Sequence, residues 1–201
     1  MSRFQLNLVS LLVLSIPALL VTGPFLPDLA LSVSSIIFLI YIVRNRKFEI
    51  FKDYYFFFFL FFYIVITISL LQSKYLEEIF FKNIFYFRFG IFLLLVKYLI
   101  NTDSKFLENL KNVLLTIFIL LFIDSLIQLI IGKNIIGLSP FPGRITSFFG
   151  DESILGSYVS RLCPLLVALL YLEKDNKYKI IFVLMMSFII VILSGERASI
   201  A

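Results

Sequence analysis

Apolar residues along this chain come in long runs, and polar residues gather in short breaks between them. A helix needs about 20 mostly apolar residues to cross a bilayer. Seven runs are of that order, at roughly 5–22, 26–43, 54–72, 83–100, 112–131, 153–172 and 179–194. The first lacks a small-residue cleavage site and six more follow it, which predicts an uncleaved anchor rather than a signal peptide. The break SKYLEEIFFK, residues 73–82, predicts a short amphipathic helix at the membrane surface. The break over 132–152 carries Gly137, Pro140, Pro142, Gly143 and Gly150, which rules out a continuous helix there. No internal repeat and no soluble domain interrupts the pattern. The expected fold is all-α: a polytopic transmembrane helical bundle of about seven spans, forming one transmembrane domain over 1–201.

Composition agrees with this pattern. Hydrophobic residues make up 61% and charged residues 15%, against about half and a quarter in soluble domains. The net charge of +5 follows the loops and is not a nucleic-acid signal. The one cysteine, Cys163, lies inside an apolar run, so no disulfide framework is expected. The chain has no histidine, which removes the commonest metal ligand and the commonest general base. No metal and no cofactor is predicted.

Orientation follows from Lys and Arg in the breaks. One side holds ten, from Arg3 through Arg44, Arg46, Lys47, Lys52, Lys105 and Lys111 to Lys174, Lys177 and Lys179. The other holds five: Lys74, Lys82, Lys133, Arg144 and Arg197. The amino terminus is therefore expected in the cytoplasm, with 73–82, 132–152 and the carboxyl end facing outward. The chain ends at SGERASIA, a few residues past the last run, and reads as the front part of a longer protein.

Ionisable residues inside spans are costly and are functional candidates by default. Asp124 has Gln128 four residues on, hence on the same helical face. Asp124 and Arg161 each lie eight residues from a span end, roughly 12 Å deep at 1.5 Å per residue. Opposite charges at matching depth predict a structural Asp124–Arg161 ion pair. Arg88, Arg144, Asp151, Glu152, Glu196 and Arg197 fall at or just beneath the outward face, whereas Lys97 is within snorkelling reach of the cytoplasm. Capping of the sixth helix accounts for Asp151 or Ser153, headgroup snorkelling is open to Arg88, and close packing accounts for Gly156 and Ser157. Neither Arg144 nor the pair Glu196–Arg197 is explained in these ways. Several arginines near the outer leaflet suit a diphosphate, because the guanidinium fork matches phosphate oxygens and keeps its charge. A lipid diphosphate fits that depth, with its head at the interface and its tail in the bilayer.

Three stretches carry a family resemblance. FIDSLIQLIIGKNIIG, GRITSFFGDESILGSYVSRLCPLL and ILSGERASIA resemble the O-antigen ligase and O-antigen polymerase superfamily. The shared pattern is an Asp…Gln helix ending in G-x-N-x-x-G, an Arg-x-(Ser/Thr)-x-x-x-Gly loop, an acid-led helix, and an apolar span ending in Ser-Gly-x-Arg. YFRFGIF resembles the family's arginine-bearing earlier helix. The resemblance covers roughly 75–201. It implies a GT-C-like, metal-independent glycosyltransferase of the bacterial inner membrane. Such a protein moves saccharide from an undecaprenyl-diphosphate carrier to lipid A core or a growing polysaccharide at the periplasmic face. By that resemblance Arg144 and Arg197, with Arg88, contact the diphosphate, and Glu152 or Glu196 supplies a carboxylate to the site. The family's large later loop has no counterpart in these 201 residues, so catalysis by them alone is not expected. Ligase and polymerase stay undivided, because the acceptor is read elsewhere. A transporter or flippase of lipid-linked glycan, or an inactive membrane scaffold, is the alternative.

Overall fold

The computed structural model describes residues 1, 3–71, 76–140, 143–172 and 177–196, and at 71, 76–79 and 82 the backbone alone. The described residues form helices joined by short connections, with no strand among them. The helices are α1 (Arg3–Leu19), α2 (Phe25–Arg44), α3 (Tyr54–Leu71), α4 (Leu76–Tyr86), α5 (Arg88–Thr102), α6 (Phe106–Ile131), α7 (Leu155–Leu172) and α8 (Lys177–Ser194). Short 3₁₀ turns occupy Leu20–Thr22, Phe48–Lys52 and Ser147–Phe149. A helix satisfies its backbone groups internally, which is what a chain this apolar requires in hydrocarbon.

Among the described residues six helical segments are long and apolar enough to cross a membrane: Arg3–Thr22, Phe25–Arg44, Asn83–Thr102, Phe106–Ile131, Leu155–Leu172 and Lys177–Ser194. Tyr54–Leu70 is apolar but shorter. The amphipathic helix expected at 73–82 is described from Leu76 and runs on to Tyr86; residues 73–75 lie outside the described residues. The chain then breaks at Phe87, inside the span expected at 83–100. Gly132, at φ +79°, ends α6 in the left-handed conformation that glycine adopts without a Cβ clash, its N–H bonded to Gln128 C=O at 2.9 Å.

Contacts group the chain into two compact units, Met1–Ile16 with Pro27–Phe106, and Pro17–Leu26 with Leu107–Ala201. In the first, Phe38 and Tyr41 of α2 pack their rings at a tilt against Tyr98 of α5. Gly90 lets α5 approach α3 closely: a Cβ there would stand 2.3 Å from the Phe59 ring. Among the described residues of this unit two ion pairs tie α5 to its neighbours, Arg88–Asp28 and Lys97–Asp53. Lys97, expected to snorkel, thus finds a carboxylate at the start of α3. The Lys97 ammonium holds the Asp53 carboxyl below the usual carboxylate range. A depressed folded pKa contributes stability above the ordinary value of about 4, and that stability is lost as pH falls through the folded value. Asp53→Asn will therefore unfold at lower temperature than the native chain at neutral pH, and the gap will close in acid. Thermal unfolding in detergent across that pH range measures it, and a gap independent of pH would refute the pairing.

In the second unit Leu114, Phe118 and Leu121 of α6 join Leu155, Val159, Cys163, Leu166 and Leu170 of α7 and Val183, Met186 and Ile190 of α8 in one core. The spacing of the α7 set is the three-to-four residue period of one helical face. Tyr158 of α7 donates its hydroxyl to Pro17 C=O at 2.7 Å.

Candidate functional site

The polar break between α6 and α7 folds back onto the second unit. Asp124 and Gln128 of α6 hold it there, both of them buried side chains at 0% and 1% exposure. Asp124 accepts the Ile135 N–H at 2.8 Å on one oxygen and the Ser147 hydroxyl at 2.5 Å on the other. Gln128 Oε1 accepts the N–H groups of Thr146 and Ser147 at 3.0 and 2.8 Å. Asn134 ties the two arms of the loop together. Its amide donates to Ser147 C=O at 2.9 Å, and its carbonyl oxygen accepts the Leu138 N–H at 2.7 Å. Buried polar groups need partners, and here the Ile135, Leu138, Thr146 and Ser147 amides and the Ser147 hydroxyl each meet a helix or loop side chain, whereas the buried Thr146 hydroxyl has no partner among the described residues. The clasp also holds Ser147 at φ +51°, a conformation costing a non-glycine residue about 1–3 kcal/mol.

Arg144 projects from this clasped loop. It is half-buried, and its one hydrogen bond among the described residues goes from Nη1 to Ser153 Oγ at 3.2 Å. Its stem lies on Gly195, where a Cβ would stand 3.4 Å from Arg144 Cγ. The neighbouring Ile145 N–H bonds to Leu193 C=O at the end of α8, at 3.3 Å. Loop, α7 start and α8 end thus converge around the arginine.

Glu196 closes the same junction. It is 7% exposed. One carboxylate oxygen accepts the Gly156 N–H at 2.8 Å, and the other accepts the Ser157 N–H at 3.0 Å and the Ser157 hydroxyl at 2.5 Å. These amides are among the unpaired donors of the first turn of α7, where the helix dipole favours an anion. The cap that the sequence assigns to Asp151 or Ser153 is therefore supplied by Glu196, from the far end of the next helix. Ser153 instead accepts from Arg144, while Asp151 and Glu152 are exposed. Of the two candidate catalytic carboxylates, Glu196 is engaged as a cap and Glu152 stands open.

The remaining expected residues fall as follows. The Asp124–Arg161 pair does not form: buried Asp124 takes one loop donor on each carboxylate oxygen, and Arg161 is exposed on α7. Matching depth does not fix rotation. Arg161 lies two positions from the buried Val159, roughly 200° around the helix. Arg88 belongs to the first unit, where it pairs with Asp28 and donates to Ser32 Oγ at 2.9 Å. Arg197 lies outside the described residues. Asn134, Ser147 and Ser157 are site residues that their types alone did not single out. Among the described residues no group of three or more His, Cys, Asp or Glu could hold a metal ion.

Apolar side chains left uncovered on helices of bilayer length, such as Ile36 at 56% and Ile130 at 81% exposure, need hydrocarbon to cover them. Together with the buried polar clasp they define a helical membrane-spanning protein. No family model, no curated protein and no solved structure matches the chain.

Proposed function

We propose that this protein is an inner-membrane glycosyltransferase of the O-antigen ligase or polymerase type. It acts on saccharide carried by undecaprenyl diphosphate at the periplasmic face, with lipid A core or a growing polysaccharide as acceptor. The reading joins the sequence resemblance to one observation: Arg144 stands on a loop clasped by buried side chains, with a single hydrogen bond among the described residues, to Ser153. A fixed guanidinium of this kind suits a phosphate oxygen pair. In the reaction the bond from the anomeric carbon to the diphosphate oxygen breaks, and a bond from that carbon to the acceptor hydroxyl oxygen forms. Arg144 meets the charge that grows on the departing diphosphate. Glu152, exposed beside the loop's exit, takes the acceptor proton. The excess of Lys and Arg in the opposite breaks supports a cytoplasmic amino terminus and an outward-facing Arg144.

The test uses the whole protein in proteoliposomes with undecaprenyl-diphosphate-linked oligosaccharide and an acceptor glycan. The expected result is glycan on the acceptor and an equal amount of free undecaprenyl diphosphate. Glycan that changes leaflet with its diphosphate linkage intact would replace the reading with a flippase. Neither event would leave a scaffold.

A further inference from the structure

A second polar site lies in the first unit, well away in sequence from the clasped loop. A cavity of about 290 Å³ opens between the 3₁₀ turn Phe48–Lys52 and the last turns of α5. Glu49, Lys52, Asp53, Lys97, Tyr98 and Asn101 line it, with Ile50 and Leu94. A chain with so few charges places two acids and two bases around one small space. The size, at the lower end for ligand pockets, suits a headgroup rather than a whole lipid.

Its level in the membrane is readable from its neighbours. Leu94 belongs to the buried part of α5, whereas Asn101 is exposed two residues before that helix's cap at Asp103. Phe48, Tyr54 and Tyr55 beside it are exposed aromatics, the kind of side chain that collects at headgroup level. The cavity therefore spans the boundary between hydrocarbon and water.

Its charge pattern selects the ligand. The lining charges sum to zero, Lys52 and Lys97 against Glu49 and Asp53. A simple anion gains nothing net from such a ring, but a headgroup bearing both signs satisfies every member. The Lys97–Asp53 pair leaves capacity for it. Lys97 has three protons, of which Asp53 takes one, while its ammonium also lies 5.0 Å from the Tyr55 ring centre. Asp53 accepts the Tyr55 N–H at 2.9 Å on its other oxygen, and each carboxylate oxygen has a second lone pair. Carboxylates and an amide carbonyl accept hydrogen bonds, which a primary ammonium donates and a quaternary one cannot; quaternary groups are held by aromatic cages.

We propose that this cavity seats the headgroup of a zwitterionic phospholipid with a primary ammonium, its phosphate on Lys52 and Lys97 and its ammonium on Glu49 and Asp53. The site is independent of the glycosyl-transfer reading.

Native mass spectrometry of the detergent-purified protein tests it. The protein is exposed to equal amounts of phosphatidylethanolamine, phosphatidylcholine and phosphatidylglycerol with identical chains. Phosphatidylethanolamine should be retained about tenfold over the other two, the factor that one charge-assisted hydrogen bond carries. Glu49 and Lys52 are exposed, so their variants keep the fold. Glu49→Gln should bring phosphatidylethanolamine and phosphatidylglycerol to within about twofold of each other, and Lys52→Gln should weaken retention of both. Equal retention of all three lipids by the native chain, a preference for phosphatidylglycerol, or an unchanged preference in Glu49→Gln would each overturn the proposal.

Discussion

Replacing Arg144 with alanine will lower glycan transfer by about 10²- to 10³-fold while leaving the protein folded and in the membrane. The magnitude is that of removing one preorganised donor from charge that develops in a transition state. The selectivity follows from the structure. The loop is held by Asp124, Gln128 and Asn134, none of which bonds to Arg144. Loss of the guanidinium removes one bond to Ser153 and the packing of its stem on Gly195, so unfolding should shift by only about 1 kcal/mol. Arg144→Lys keeps the charge but loses the fork, and should fall between the two. Transfer rate and membrane protein level, measured on the same preparations, check both halves. Native transfer by Arg144→Ala would end the diphosphate assignment.

Replacing Asp124 with leucine will release the loop. The substitution removes a buried carboxylate and strands the Ile135 amide and the Ser147 hydroxyl that it accepts. Each stranded group costs about 1–3 kcal/mol, and bonds to a charged partner are the stronger kind, so a loss of about 3–5 kcal/mol is expected. The helices keep their core, because Leu114, Phe118 and Leu121 lie earlier along α6, on the side away from the loop. Protease added on the loop side should then cut within 133–150 in the variant and not in the native protein. Exchanging the charges, Asp124→Arg with Arg161→Asp, will not restore protection, since the two residues do not pair. Rescue by that exchange would restore the ion-pair reading and refute the clasp.

Much of the fold was legible before any coordinates. Run length places the helices, with ends off by up to about six residues, as at α6, which starts at Phe106 rather than 112, because crossing hydrocarbon is a demand on every stretch of about 20 residues separately. Gly132 and the Pro and Gly residues of 137–143 mark where α6 must stop. The break at Phe87 was not legible, since no proline or glycine occupies it. The site was legible in its parts and not in its wiring. The G-x-N-x-x-G turn and the Arg-x-Thr loop stand out as patterns, but their use as one clasp needs Asn134 bonded to Ser147 and Thr146 bonded to Gln128. Asp124 stands out as a buried charge, yet its partners are a hydroxyl and a backbone amide, and amides have no sequence signature.

By itself the sequence determined a membrane-spanning helical chain, its approximate spans and the loop that must be irregular. Hydropathy is a sum over neighbours in the chain, so local composition is enough. Only the tertiary structure decided which charge meets which group: Arg88 with Asp28 across 60 positions, Lys97 with Asp53 across 44, Glu196 with the Gly156 amide across 40. Those choices depend on how each helix is rotated about its axis and on what its neighbours bring alongside, and neither quantity is a property of any one segment.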